Sequence, residues 1–247
     1  MDNHNQGSFY KGNKVLKADA RESLLGHLSI AVLSVFLYTL STSLIMELIA
    51  NFQSGSVLLS LVLSVVVFFV VSICSHMLRI GLADIFMQLL YKKDARIRDL
   101  FCAFRYNSDT AVTISAFISL LELACMLPAI IAMSVISAED MLSYIGLILL
   151  LLAAGGAGIA FIRIRYAMCA YLFLDYPEYS AGELIRGSAR MIKGHKLRLC
   201  KLYLSFIPLY FLGVLSFGIA GMWVISYSRA AVAAFYRDMI NGIHARG

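Results

Sequence analysis

Long apolar runs separated by short polar turns set the rhythm of this chain. Each run is long enough for a membrane-crossing helix, which needs about 20 apolar residues. Two hairpins follow from the pattern. The first joins spans at roughly 26–50 and 56–78 through Asn51-Phe52-Gln53-Ser54-Gly55. The second joins roughly 110–136 and 142–163 through the acidic linker Ser137-Ala138-Glu139-Asp140. A third apolar stretch begins near residue 197. Read as one helix to Ser228, it supplies a fifth span only. Read with a break at Gly218-Ile219-Ala220-Gly221, it supplies a fifth at about 197–217 and a sixth at about 220–240, because closely spaced glycines favour a turn. Six spans are favoured over five. The first run exceeds the apolar region of a signal peptide, about 7–15 residues, and reads as an uncleaved span.

The cations supply sidedness. All 21 Lys and Arg residues fall in four clusters, and residues 22–78, 106–162 and 202–228 contain none. Basic residues collect on the cytoplasmic side of membrane proteins. The pattern therefore predicts an all-α, polytopic transmembrane helix bundle with a cytoplasmic tail at 1–25, one transmembrane domain at 26–242 and a short tail at 243–247. With six spans the C-terminus is cytoplasmic too.

Two basic segments, 79–105 and 180–194, read as short amphipathic helices at the cytoplasmic interface. In the first, Asp84, Gln88 and Lys92 align against Ile85, Phe86, Leu89 and Leu90. In the second, Ser180-Ala181-Gly182-Glu183 is a capping-box pattern that starts a helix. Arg186, Arg190 and Lys193 then share a face and, with Lys196, are candidate contacts for anionic lipid headgroups.

Composition agrees. Hydrophobic residues make up 60%, charged residues 15%, and mean hydropathy is +0.80, which excludes an ordinary soluble domain. The net charge of +6 comes with no nucleic-acid-binding motif, so lipid headgroups are the expected counterpart and nucleic acid is not. Cys74, Cys102, Cys125, Cys169 and Cys200 show no paired spacing. Neither a metal nor a cofactor is expected.

Ionisable residues deep in a membrane are costly and are the first candidates for function. Glu122 lies 12 residues beyond Thr110 in the third span, about 18 Å deep at 1.5 Å per residue. Pro128 follows and would kink that helix. Arg229 is the expected partner of Glu122 in the six-span arrangement, since pairing relieves two buried charges at once. Glu47 and His76 lie near span ends and receive no role, while Arg163 and Arg165 read as anchors that snorkel to the headgroups. Ala154 with Gly158, and Ala230 with Ala234, offer small-residue faces for close helix packing. No GxSxG, HExxH or phosphate-binding glycine loop occurs, so no catalytic residue is assigned and no enzymatic reaction is expected.

Several segments together resemble a known bacterial family. They are Leu16-Lys17-Ala18-Asp19-Ala20-Arg21, Ser188-Ala189-Arg190-Met191-Ile192-Lys193-Gly194-His195-Lys196, Leu204-Ser205-Phe206, Gly218-Ile219-Ala220-Gly221-Met222-Trp223 and Ala233-Ala234-Phe235-Tyr236-Arg237-Asp238. The resemblance is to the integral-membrane family catalogued as domain of unknown function 975. It implies a bacterial plasma-membrane location and six helices, and it brings no activity. In that family a proline commonly precedes the tyrosine of the last helix, where this chain has Ser226 before Tyr227. The expected role is a non-enzymatic scaffold, assembly or regulatory component with a membrane-protein partner. The alternative is a carrier for a lipid or small amphiphile that uses Glu122.

Overall fold

The computed structural model describes residues 10–50, 57–136, 143–216 and 218–244. The expected hairpin turns at 51–55 and 137–140, the side chain of Glu47 and the tail beyond 244 lie outside these residues. No strand occurs among the described residues.

The chain begins with two helices, α1 (Asn13–Leu24) and α2 (Leu28–Ala50), bent by 98° at their junction. Gly26 makes the corner with φ of 84°, a conformation that costs an L side chain dearly. The segment read as a tail thus contains a helix, because Leu16, Ala20 and Leu24 recur on one face and are buried.

Helix α3 (Val57–Leu90) is 34 residues long, about 51 Å at 1.5 Å per residue, against a hydrocarbon core of about 30 Å. The interfacial segment expected from residue 79 does not start there. Residues 79–90 continue α3, and Ile80, Leu82, Ile85, Phe86 and Leu89 are buried by protein on several sides. Beyond Lys92, at φ 55°, a turn leads into a 3-10 helix (Ile97–Phe101) and α4 (Cys102–Arg105). That 3-10 helix crosses α3 at Gly81, where a Cβ would stand 1.8 Å from the Leu100 carbonyl oxygen.

Next come α5 (Ser108–Val135), α6 (Ile145–Arg165), α7 (Cys169–Asp175) and α8 (Ala181–Ile192). Pro128 lies within α5, which continues beyond it to Val135. The close seam between α5 and α6 is formed by Gly155 and Gly158, which face Cys125, whereas Ala154 is exposed. The small-residue seam therefore keeps Gly158 of the expected pair and uses Gly155 in place of Ala154. Ala230 and Ala234 are buried as expected.

The stretch expected as a single helix at 197–217 is two, α9 (Lys196–Leu204) and α10 (Ile207–Leu215). Pro208 explains the break, because it lacks an N–H and its ring crowds the carbonyl four residues earlier. Gly218, at φ 88°, turns the chain into α11 (Ile219–His244). Gly213 and Gly221 let α10 and α11 cross closely, a Cβ on Gly213 falling 2.9 Å from the Gly221 Cα.

Four helical stretches are long and apolar enough to cross a membrane: Leu61–Leu90, Ser108–Met133, Ile145–Asp175 and Lys196–Leu215. The bent α1–α2 pair raises the number to five. The packed core lies toward one end of the bundle, around Leu16, Phe86, Leu100, Met168, Phe206 and Tyr236. At the other end Leu58, Val62, Val66, Leu149 and Leu150 are exposed.

An ionic clasp joins the two ends of the chain beside that core. The Lys11 N–H donates to both oxygens of Asp238, at 3.1 and 3.2 Å, and Arg198 also holds this carboxylate. Lys11 Nζ and Arg237 Nη2 both donate to Asp19, at 2.8 and 2.9 Å. Burial pushes the Asp19 carboxyl up, but these two cations outweigh it and hold the group below the usual carboxylate range.

Candidate functional site: an arginine-lined cavity

Within the core the helices leave a cavity of about 490 Å³. On α3, His76, Arg79, Ala83 and Phe86 recur at helical spacing and face it; on α11, Ile225, Ser228, Arg229 and Val232 do the same. Helix α6 contributes Ala160 and Arg163, α5 contributes Ile114, Ser115 and Ile118, and α2 contributes Tyr38 and Thr39. Tyr166, Tyr171, Tyr203 and Tyr210 complete the lining.

The tyrosines are fixed by their neighbours. Tyr210 and Ser228 share a hydrogen bond of 2.7 Å between α10 and α11. The Tyr171 ring stacks on Tyr236 at 5.0 Å, and the Tyr236 hydroxyl donates to Asp175 at 2.6 Å. These contacts brace the cavity walls against one another.

Glu122 is buried, at 2% exposure, beside this space. Arg163 Nε donates to its Oε1 at 2.9 Å, and His76 Nε2 stands 3.2 Å from its Oε2. The expected partner, Arg229, is not the one Glu122 meets. The reason is helix order: α5 packs between α3 and α6, whereas α11 packs chiefly on α1, α2, α3 and α10. Arg229 does reach the cavity, together with Arg79, and neither forms an ion pair among the described residues. Arg79 Nε, Ser115 Oγ and Ser119 Oγ are buried without a hydrogen-bond partner.

Sequence reasoning found Glu122 and Arg229, gave no role to His76 or Arg79, and read Arg163 as a snorkelling anchor. A signal for the arginines is present in the chain. Arg79, Arg163 and Arg229 are each the first basic residue after one of the three cation-free stretches.

The candidate lipid contacts lie elsewhere. Arg186, Arg190 and Lys193 are exposed on α8, and Lys196 Nζ sits 4.8 Å from the Phe161 ring centre. The expected capping box at Ser180 and Glu183 is formed. The buried face of α8, Leu184, Ser188 and Ile192, packs on the bundle. No cluster of three His, Cys, Asp or Glu suited to a metal occurs among the described residues.

Fold and site together define an all-helical protein with several helices of membrane-spanning length around a cationic cavity. The chain belongs to the family described as "Protein of unknown function (DUF975)", which matches residues 10–242. No curated protein and no solved structure matches it.

Proposed function

We propose that this is a multi-pass bacterial plasma-membrane protein that binds and carries a lipid-like amphiphile in the helix-lined cavity. The observation that carries this reading is the lining. Phe86, Ile114, Ile118 and Val232 share with tyrosines and arginines the lining of about 490 Å³, and small-molecule sites typically measure about 300–1,000 Å³. An amphiphile matches both kinds of lining at once. Glu122, already held by Arg163 and His76, shapes the site rather than meeting the ligand.

Six spans with both termini on the cytoplasmic side suit this reading. The Lys11–Asp238 hydrogen bonds bring α11 back beside the segment that precedes α1, as an even number of crossings between them does. Helix α11 has 26 residues, about 39 Å at 1.5 Å per residue, which is the length of a crossing, although it is less apolar than the four stretches above. Exposed Arg186, Arg190 and Lys193, with Lys196, then face anionic headgroups of the inner leaflet. The protein performs no reaction of its own here and needs no cofactor or nucleic acid.

A scaffold role draws on a different observation, the exposed apolar ends at Leu58, Val62, Val66, Leu149 and Leu150, which a membrane-protein partner would cover. Purification in native lipid, with bound molecules identified by mass spectrometry, separates the two readings. The unaltered chain should retain a near-stoichiometric amphiphile. Ala160→Trp, which fills the cavity from α6, should lose most of it at unchanged folded yield. Equal retention by both chains would sink the carrier reading, and a stoichiometric protein partner with an empty cavity would favour the scaffold.

A further inference from the structure

The polar lining residues narrow the ligand class. Arg79, Arg163 and Arg229 come from three different helices, α3, α6 and α11, and converge on one space. Arg79 lies within electrostatic range of both others. The lining contains no Asp or Glu among the described residues, and the adjacent Glu122 carboxylate engages Arg163. Three guanidinium groups against one carboxylate leave the cavity electropositive. Arg79 and Arg229 are half-buried and Arg163 is exposed, and like charges gathered in a partly desolvated space are costly until something neutralises them.

The unused hydrogen-bonding groups point the same way. Arg79 Nε is buried without an acceptor, and Ser115 Oγ on the facing α5 is buried without a partner. An incoming oxyanion would accept from both. Guanidinium groups present planar, paired N–H donors that match phosphate oxygens. The two arginines not paired with Glu122 also suit a phosphate monoester in charge, which is about −1.5 to −2 near neutral pH.

Depth is consistent with a lipid source. Counted from Val57 and Ile145, Arg79 and Arg163 lie 22 and 18 residues along their helices, about 33 and 27 Å at 1.5 Å per residue. A hydrocarbon core is about 30 Å thick, so both fall at the height of the basic-side headgroups.

Resting on the amphiphile reading above, we infer that Arg79, Arg163 and Arg229 form an oxyanion site for the phosphate headgroup of an anionic amphiphile. The ligand's chain lies along Phe86, Ile114, Ile118 and Val232. Glu122 and His76 are positioning residues that orient Arg163.

The test uses the full chain purified in detergent and three probes: dioctanoyl phosphatidic acid, dioctanoylglycerol with the same chains and no phosphate, and inorganic phosphate. Binding is followed by calorimetry. Phosphatidic acid should bind at least about tenfold more tightly than dioctanoylglycerol, the scale of losing one charge-assisted hydrogen bond. That preference should vanish in the Arg79→Gln/Arg229→Gln double variant and persist in the surface control Lys93→Gln. Equal binding of both lipids by the unaltered chain overturns the oxyanion site and leaves the amphiphile reading standing. A preference that survives the double variant overturns the site as well. Phosphate binding without lipid binding, if lost in the double variant, upholds the oxyanion site and removes the amphiphile reading. No binding of any probe removes both. Should the double variant fail to fold, phenylglyoxal modification of Arg79 and Arg229 in the unaltered chain replaces it, read by peptide mass spectrometry. Phosphatidic acid should slow the modification, and an unchanged rate overturns the inference.

Discussion

Glu122 divides its two oxygens between two helices, one facing Arg163 on α6 and the other His76 on α3. Removing one member of such a buried group leaves the others without compensation. A double-mutant cycle of Glu122→Gln with Arg163→Gln should therefore be non-additive, with a coupling of about 0.5–3 kcal/mol in thermal or denaturant stability. The same cycle with Arg229→Gln should give a smaller coupling, and equal couplings would contradict the geometry. The acid itself was legible in the sequence, because one carboxylate in a long apolar run stands out. Its partner was not, since partner choice depends on which helices are neighbours. Arg163 read as a snorkelling anchor because it ends an apolar run. Helical side chains, however, lean toward their own N-terminus, and α6 points its N-terminus away from the basic end. Arg163 therefore reaches back beside the cavity. The same holds for Arg79 on α3.

At the scale of elements, the hairpin pattern and the glycine break at Gly218 were readable, because apolar length and turn chemistry are local properties. Helix ends were less so. Residues 79–90 carry polar groups at helical spacing and look like a surface helix, yet protein covers most faces of that segment. What makes the cover fit is Gly81, over which the Leu100 carbonyl passes. Gly81→Ala should push the 3-10 helix off α3 and cost about 1–3 kcal/mol, the usual scale of overpacking, despite the helix propensity gained. Measured stability equal to or above that of the unaltered chain would show that the crossing is looser than described. The broken helix at 205–206 follows from Pro208, a residue whose effect was available in the sequence and went unused.

For the whole molecule, the spacing of cations proved to carry more than orientation. Each cation-free stretch ends at an arginine of the cavity, so the residues that close the apolar windows also build the site. What no linear pattern conveys is that the three converge, because that depends on how the hairpins pack. The clasp between Lys11 and Asp238 makes the overall topology testable. Cysteines introduced by Lys14→Cys and Asn241→Cys should react with an impermeant maleimide from the same face of the membrane, read by peptide mapping in vesicles of both orientations. Labelling from opposite faces would require an odd number of crossings.

The clasp also bears on how the chain is made. Its two halves lie 227 residues apart, and a ribosome adding about 5–20 residues per second needs on the order of ten seconds or more to cover that distance. Throughout that interval the face of α1 formed by Leu16, Ala20 and Leu24 has no α11 to rest against. Helix α1 is thus among the last of these elements to reach its final seat, and it waits as an amphipathic segment until α11 has been made.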